Sequence, residues 1–129
     1  MSGYIANIEA LALENVFFRK VLYTDSNVQL VVMALKGGED IGEEVHQLDQ
    51  FIRVEKGEGK AVLDGRESLI GEGSAIIIPA RVRHNIINTG VHSMKLYTLY
   101  APPNHKDGTI HKTKAEAAAA EEHESDLSV

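Results

Sequence analysis

The chain has 129 residues, 43% of them hydrophobic and 25% charged, a balance that suits one soluble domain with a single core. A net charge of −6 gives no basic footprint for nucleic acid or an anionic membrane surface, and no apolar run approaches the length of a membrane span. Cysteine is absent, so neither disulfides nor thiolate metal ligands are available.

Residues 1–14 carry Ile5, Ile8, Leu11 and Leu13, a spacing that fits a short helix or a ragged strand equally well. From Val16 onward, turn signals recur at short intervals. Residues 28–35, rich in Val and Leu, read as a buried strand ended by Gly37-Gly38. Residues 44–46 read as a short strand and Gln47-Leu48-Asp49 as a tight connection. Residues 50–55 alternate as a strand closed by Gly57-Glu58-Gly59. Residues 60–63 and 66–70 flank Asp64-Gly65, the clearest hairpin in the chain, because Asp-Gly favours the primed turns that match strand twist. Gly71-Glu72-Gly73 makes a further turn. Residues 75–78 form an apolar strand stopped by Pro79. Strands follow at 84–88 and at 94–100, before Pro102-Pro103. Seven or more short strands with glycine punctuation predict an all-β sandwich or barrel, occupying residues 1–111. In residues 112–129, Lys112 and Lys114 stand against Glu116, Glu121, Glu122, Glu124 and Asp126. This acidic, alanine-rich tail is helix-prone but has no apolar stripe, so it reads as an appendage that docks on a neighbour or stays mobile. With no export signal visible, the expected location is the cytoplasm.

The residues able to carry chemistry fall in two short segments. The first is Gly38-x5-Glu44-x-His46-x3-Gln50-x6-Gly57, and the second is Gly73-x5-Pro79-x4-His84-x3-Asn88. Glu44 and His46, two apart on a strand, face the same side. Gln50 follows across a turn, and His84 opens a later strand. Four donors from three strands could therefore converge inside one barrel.

The two segments resemble the paired motifs of the cupin superfamily, G-x5-H-x-H-x3-4-E-x6-G and G-x5-P-x-G-x2-H-x3-N. The chain matches the first at Gly38, His46 and Gly57, and the second at Gly73, Pro79, His84 and Asn88. It departs from the pattern at Glu44, where the family usually has its first His. It departs again at Gln50, in place of Glu, and at Arg81, in place of Gly. The resemblance implies a double-stranded β-helix, the jelly-roll barrel, with a divalent metal inside it. The strong donors would be Glu44, His46 and His84, a two-His-one-carboxylate set that suits Fe or Mn, with Zn and Ni left open. Gln50 would be a weak fourth ligand or a supporting partner. Alternatively, the same four side chains form a hydrogen-bonded polar core with no metal.

Arg81 and Arg83 flank the start of the strand at His84, near the expected barrel mouth. They either clamp a substrate carboxylate or phosphate or are plain surface arginines. Tyr97 and Tyr100 face opposite sides of the last strand, so at most one lines the pocket; Tyr97 is taken as that residue. His105 and His111 sit in a Pro/Gly/Asn-rich loop and read as surface residues unless that loop folds over the mouth. Phe51 would point outward opposite Gln50, either toward a partner or under the N-terminal segment. The resemblance favours a homodimer. It also implies a metal-dependent enzyme, isomerase-like or dioxygenase-like, acting on a small-molecule substrate such as a sugar, sugar acid or keto acid. The alternative is a non-catalytic barrel that binds a small ligand or a metal.

Overall fold

A computed structural model describes residues 2–127, with side chains described as far as Glu121. The elements are α1 (Ile8–Glu14), β1 (Arg19–Thr24), β2 (Gln29–Leu35), β3 (Asp49–Lys56), β4 (Glu58–Leu63), β5 (Arg66–Gly71), β6 (Ala75–Ile78), β7 (His84–Asn88), β8 (Met94–Ala101), β9 (Ile110–His111) and α2 (Lys114–Leu127). Alternation sets the strands. In β8, Met94, Leu96, Thr98 and Tyr100 are all buried, while the residues between them are not. In β3, Gln50, Ile52 and Val54 do the same. The strands assemble into a six-stranded sheet, ordered β6-β3-β8-β2-β1-β9, and a three-stranded sheet, ordered β5-β4-β7, with every pairing antiparallel. Val31, Met33, Ile52, Ile78, Ile86 and Leu96 fill the space between the sheets. The all-β jelly-roll expectation holds.

Local differences from the expected elements have identifiable causes. The strand expected at residues 44–46 is a single bridge, Glu44 to His84, and a second bridge joins Asp40 to Ile87. Pairing stops there because the His46 carbonyl instead accepts the Arg81 amide, at 2.7 Å. The turn expected at residues 57–59 is only Gly57. Gly59 lies inside β4, where an added Cβ would come within 2.1 Å of the Ile87 carbonyl oxygen. β1 was not anticipated, because a buried arginine at its first position hides its alternation.

Residues 8–14 resolve as helix. Asn7 caps α1 by accepting the Ala10 amide, and the helix packs on the outer face of β2, β3 and β8. That cover buries the outward-facing Val32 and Ala34. The Phe51 ring is partly buried and lies against Tyr97, with centroids 6.2 Å apart.

The described part of the tail is docked on its own barrel, where the sequence suggests an appendage that docks on a neighbour or stays mobile. Thr113 and Glu116 form a reciprocal capping box. The Glu116 amide donates to the Thr113 hydroxyl, and the Glu116 carboxylate accepts the amides of Lys112 and Thr113. Ala117 enters the core and Lys114 pairs with Asp40. A small residue is enough to seat a helix closely, so the missing stripe of large apolar side chains does not prevent docking. Residues 128 and 129 lie outside the described residues.

Two internal clamps complete the frame. The buried Asn88 side chain donates to the carbonyls of Leu35, Lys36 and His92 and accepts the Gly90 amide. Gln29, fully buried, donates to the His105 carbonyl at 2.7 Å and accepts the amides of Asn104 and His105. The segment after β8 is thereby pulled inward, and the His105 ring meets Tyr100 edge-on at 5.3 Å. β9 brings His111 to the buried Arg19, whose Nη1 lies 3.1 Å from its Nδ1. Both histidines therefore turn inward, as they do if that loop folds over the mouth. Burial first, and then the charge of Arg19, push the His105 imidazole down to about 3, so it is neutral at ordinary pH.

Replacing Asn88 with Ala leaves several buried carbonyls without a donor and should cost about 3 kcal/mol, read as a lower denaturant midpoint with unchanged slope. For His105, the unfolded imidazole protonates near its ordinary value of about 6.5. Between about pH 6.5 and the folded value the unfolded chain binds more protons, so stability falls as pH falls through that window. His105→Gln should flatten this slope, sparing about 2 kcal/mol of the loss between pH 7 and pH 4.5 in urea titrations. Identical slopes in the two proteins would refute the burial argument.

Candidate metal centre

The site is built on the bridge between residue 44 and β7. The Glu44 amide donates to the His84 carbonyl and the His84 amide to the Glu44 carbonyl, both at 2.9 Å. This exchange sets the two side chains beside one another. His46, two residues on, shares the inner face with Glu44. Donor atoms of Glu44, His46 and His84 all lie within 4.8 Å of one another. The His46 and His84 rings are 5.2 Å apart, and His46 Nε2 is 3.6 Å from Glu44 Oε1.

Second contacts orient the donors. His84 Nδ1 lies 2.9 Å from the Val82 carbonyl and donates to it, which leaves the Nε2 lone pair facing inward. Gln50 Nε2 donates to Thr98 Oγ1 at 3.0 Å, leaving its Oε1 as the free end of the amide. The result is three buried polar atoms without a hydrogen-bond partner: His46 Nε2, His84 Nε2 and Gln50 Oε1. A self-satisfied polar core would pair these atoms with one another. The contact nearest to that, Glu44 to His46, is longer than a hydrogen bond. Orphaned lone pairs in a buried site are costly, and one divalent cation would answer both imidazole nitrogens together with the carboxylate. The residues present therefore fit a metal.

Electrostatics agree with that fit. Burial pushes the Glu44 carboxyl up, but the neighbouring His46 imidazole, and then Arg19 and His84, outweigh it. The group ends below its usual value and stays ionised. Tyr100 is pushed well above its usual value, chiefly by burial, so it stays protonated. Its ring meets His46 edge-on at 6.1 Å.

The other sequence-predicted residues lie elsewhere. Tyr97 is on the outer face of β8 against Phe51, so the tyrosine of the interior is Tyr100. Tyr100 shares its inward register with Met94 and Leu96, an apolar series that could have identified it. The Arg81 side chain is exposed, and its backbone has a left-handed φ of 72°. A glycine is at ease in that conformation, which is the physical sense of the Gly at this point of the motif. The Arg83 side chain is 62% exposed and lies 3.7 Å from Glu43. It lines a surface groove of about 300 Å³ with Glu43, Val62, Gly65, His84 and Asn85. Neither arginine joins the triad. The arginine that does lie inside, Arg19, was not singled out from sequence, although its even spacing from Val21 carried the signal.

The comparisons match this architecture. The Cupin domain family model matches residues 31–100. The uncharacterised protein YrkC of Bacillus subtilis (strain 168) is 43% identical over 126 residues, spanning 92% of this chain and 68% of that one. The uncharacterised protein L612 of Acanthamoeba polyphaga mimivirus is 40% identical over 112 residues, spanning 83% and 70%. The crystal structure of BH2720 from Bacillus halodurans superposes with a TM-score of 0.87 at 43% identity, covering 90% of this chain and 93% of that one. Motifs, sheet order and relatives agree that this chain belongs to the cupin domain family.

Proposed function

We propose that the chain is a metal-dependent enzyme acting on a small oxygenated substrate. Glu44, His46 and His84 would hold a divalent first-row ion, iron or manganese by preference, with the Gln50 amide oxygen as a weak neutral fourth donor. The observation that carries this reading is the convergence of partnerless buried imidazole nitrogens on an ionised carboxylate. When bound, such an ion supplies Lewis acidity toward a carbonyl or hydroxyl oxygen of the substrate.

The chain's own residues do the rest. The Val82 carbonyl keeps His84 in the donor tautomer, and Thr98 holds the Gln50 amide. Tyr100, protonated and buried beside His46, is placed to donate a hydrogen bond to a substrate oxygen. His105 stays neutral and, with Gln29, keeps the segment after β8 closed over the interior, which limits water. Isomerisation of a hydroxy-carbonyl compound and oxygen-dependent cleavage both suit this arrangement. A non-catalytic small-ligand barrel is the second reading. It draws on Glu44, because the one carboxylate of the cluster is itself a donor and leaves no neighbour beside it as a general base.

Protein purified without added metal should carry about one ion per chain, and His46→Ala/His84→Ala should lose it with an unchanged circular dichroism spectrum. A wild-type chain that takes up no metal even after reconstitution refutes the proposal. Gln50→Glu puts a charged donor where a neutral one stands and should tighten metal binding by about tenfold or more in chelator competition.

A further inference from the structure

Among the described residues Arg19 heads the fully buried side chains in volume, at 2% exposure. A guanidinium cannot shed its charge, so burying it is expensive unless an anion sits against it. Among the described residues its contacts are with uncharged rings. Nη1 meets His111 Nδ1 at 3.1 Å, and the guanidinium carbon lies 5.2 Å from the centre of the Phe18 ring. Nε is buried with no partner. Among the described residues no carboxylate forms an ion pair with it.

Arg19 faces the same interior as the metal centre. It opens β1 at an inward position, paired in register with the buried Met33 on one side and His111 on the other. Its charge is felt at Glu44, Tyr100 and His105 alike. Tyr100 lies beside both His46, at 6.1 Å between rings, and His105, at 5.3 Å. The interior thus has a donor triad at one place, a cation without a carboxylate partner among the described residues at another, and a protonated phenol beside the triad.

We propose that Arg19 is the carboxylate anchor of this interior, and that the ligand is a small organic acid whose carboxylate pairs with Arg19 while a hydroxyl or keto oxygen lies at the triad. The second half rests on the metal reading above; the first does not. The chemistry selects a carboxylate. A single guanidinium matches one negative charge and binds a carboxylate in a two-pronged fashion. A phosphate dianion would bring a second charge with only Glu44 and neutral groups to meet it. A neutral sugar would leave the buried cation as it stands. Of the sugars, sugar acids and keto acids that a cupin of this kind could take, the acids are the class this interior is charged for.

The test is calorimetric titration of the metal-reconstituted full chain with gluconate and 2-oxoglutarate, beside glucose and the dimethyl ester of 2-oxoglutarate as neutral counterparts. Elemental analysis of every sample runs in parallel. At least one acid should bind while its neutral counterpart does not. Arg19→Met should weaken that acid by about tenfold or more, the scale of one charge-assisted pair, with Arg19→Lys in between and metal content equal in all three. Failure of both acids to bind wild type overturns the proposal. So does equal binding of an acid and its neutral counterpart, or a folded, fully metallated Arg19→Met that keeps its acid affinity. If Arg19→Met does not fold, the acid-against-neutral contrast in wild type and the Arg19→Lys titration decide. The two readings fail separately. Acid binding that depends on Arg19 in a chain without metal refutes the metal centre, and a metallated chain indifferent to ligand charge refutes the anchor.

Discussion

Two backbone hydrogen bonds between Glu44 and His84 are the constraint on which the site depends. They are a minimal piece of β-ladder, one residue pair long, yet they join the irregular segment after β2 to the first residue of β7. Because the exchange is reciprocal, the two Cα atoms have little freedom to slide, and their side chains project into the barrel as neighbours. His46 inherits its position from the same pair through the two-residue period of extended chain, and the Arg81 amide then stops the segment from continuing as a strand. Three donors come together because one bridge, one alternation and one terminating bond act within a few residues of one another.

Around this bridge the interior changes character along its length. The end near Asn88 is apolar and backbone-clamped, with Leu35, Met94 and Ile86 fully buried. The end near Gln50 carries Thr98, Tyr100, Gln29 and His105, and Arg19 faces the same interior from β1, a set of polar groups that a purely structural barrel would replace with packed hydrocarbon. Some of these are satisfied and act as scaffolding, as Gln29 does for the segment after β8. Others keep a lone pair or an N–H with nothing to bind. The division is informative: satisfied polar groups explain the shape, and unsatisfied ones explain what the shape is for.

Closure of the mouth combines elements that are far apart in the chain. Gln29 from β2 holds residues 104 and 105, β9 carries His111 to Arg19, and α2 seats Ala117 while Lys114 reaches Asp40. None of these contacts is strong alone, and the Lys114–Asp40 pair is partly exposed to solvent. Tyr100 and Arg19 are each left only 2% exposed. In that drier setting each charge acts over a longer range than it would at the surface.

Much of the barrel and most of the donor set were legible in the sequence, for a physical reason. Strand alternation, Asp64-Gly65 and the glycine punctuation are local properties, and the family motifs place Glu44, His46 and His84 on short segments whose periodicity survives any packing. The inward position of Gln50 was legible for the same reason. What was not legible depended on contacts between distant parts of the chain. α1 over the outer sheet, the docking of Ala117 and the inward turn of His105 needed partners that no local window contains. Sequence puts Tyr97 and Tyr100 on opposite faces; which of them faces the barrel interior depends on the register of β8 between β2 and β3. The sequence by itself determined the fold class and the residues able to bind a metal, because those follow from periods of two and from donor chemistry. Only the tertiary structure decided that Arg81 and Arg83 lie outside and Arg19 inside, because burial of a charge is a property of everything packed around it.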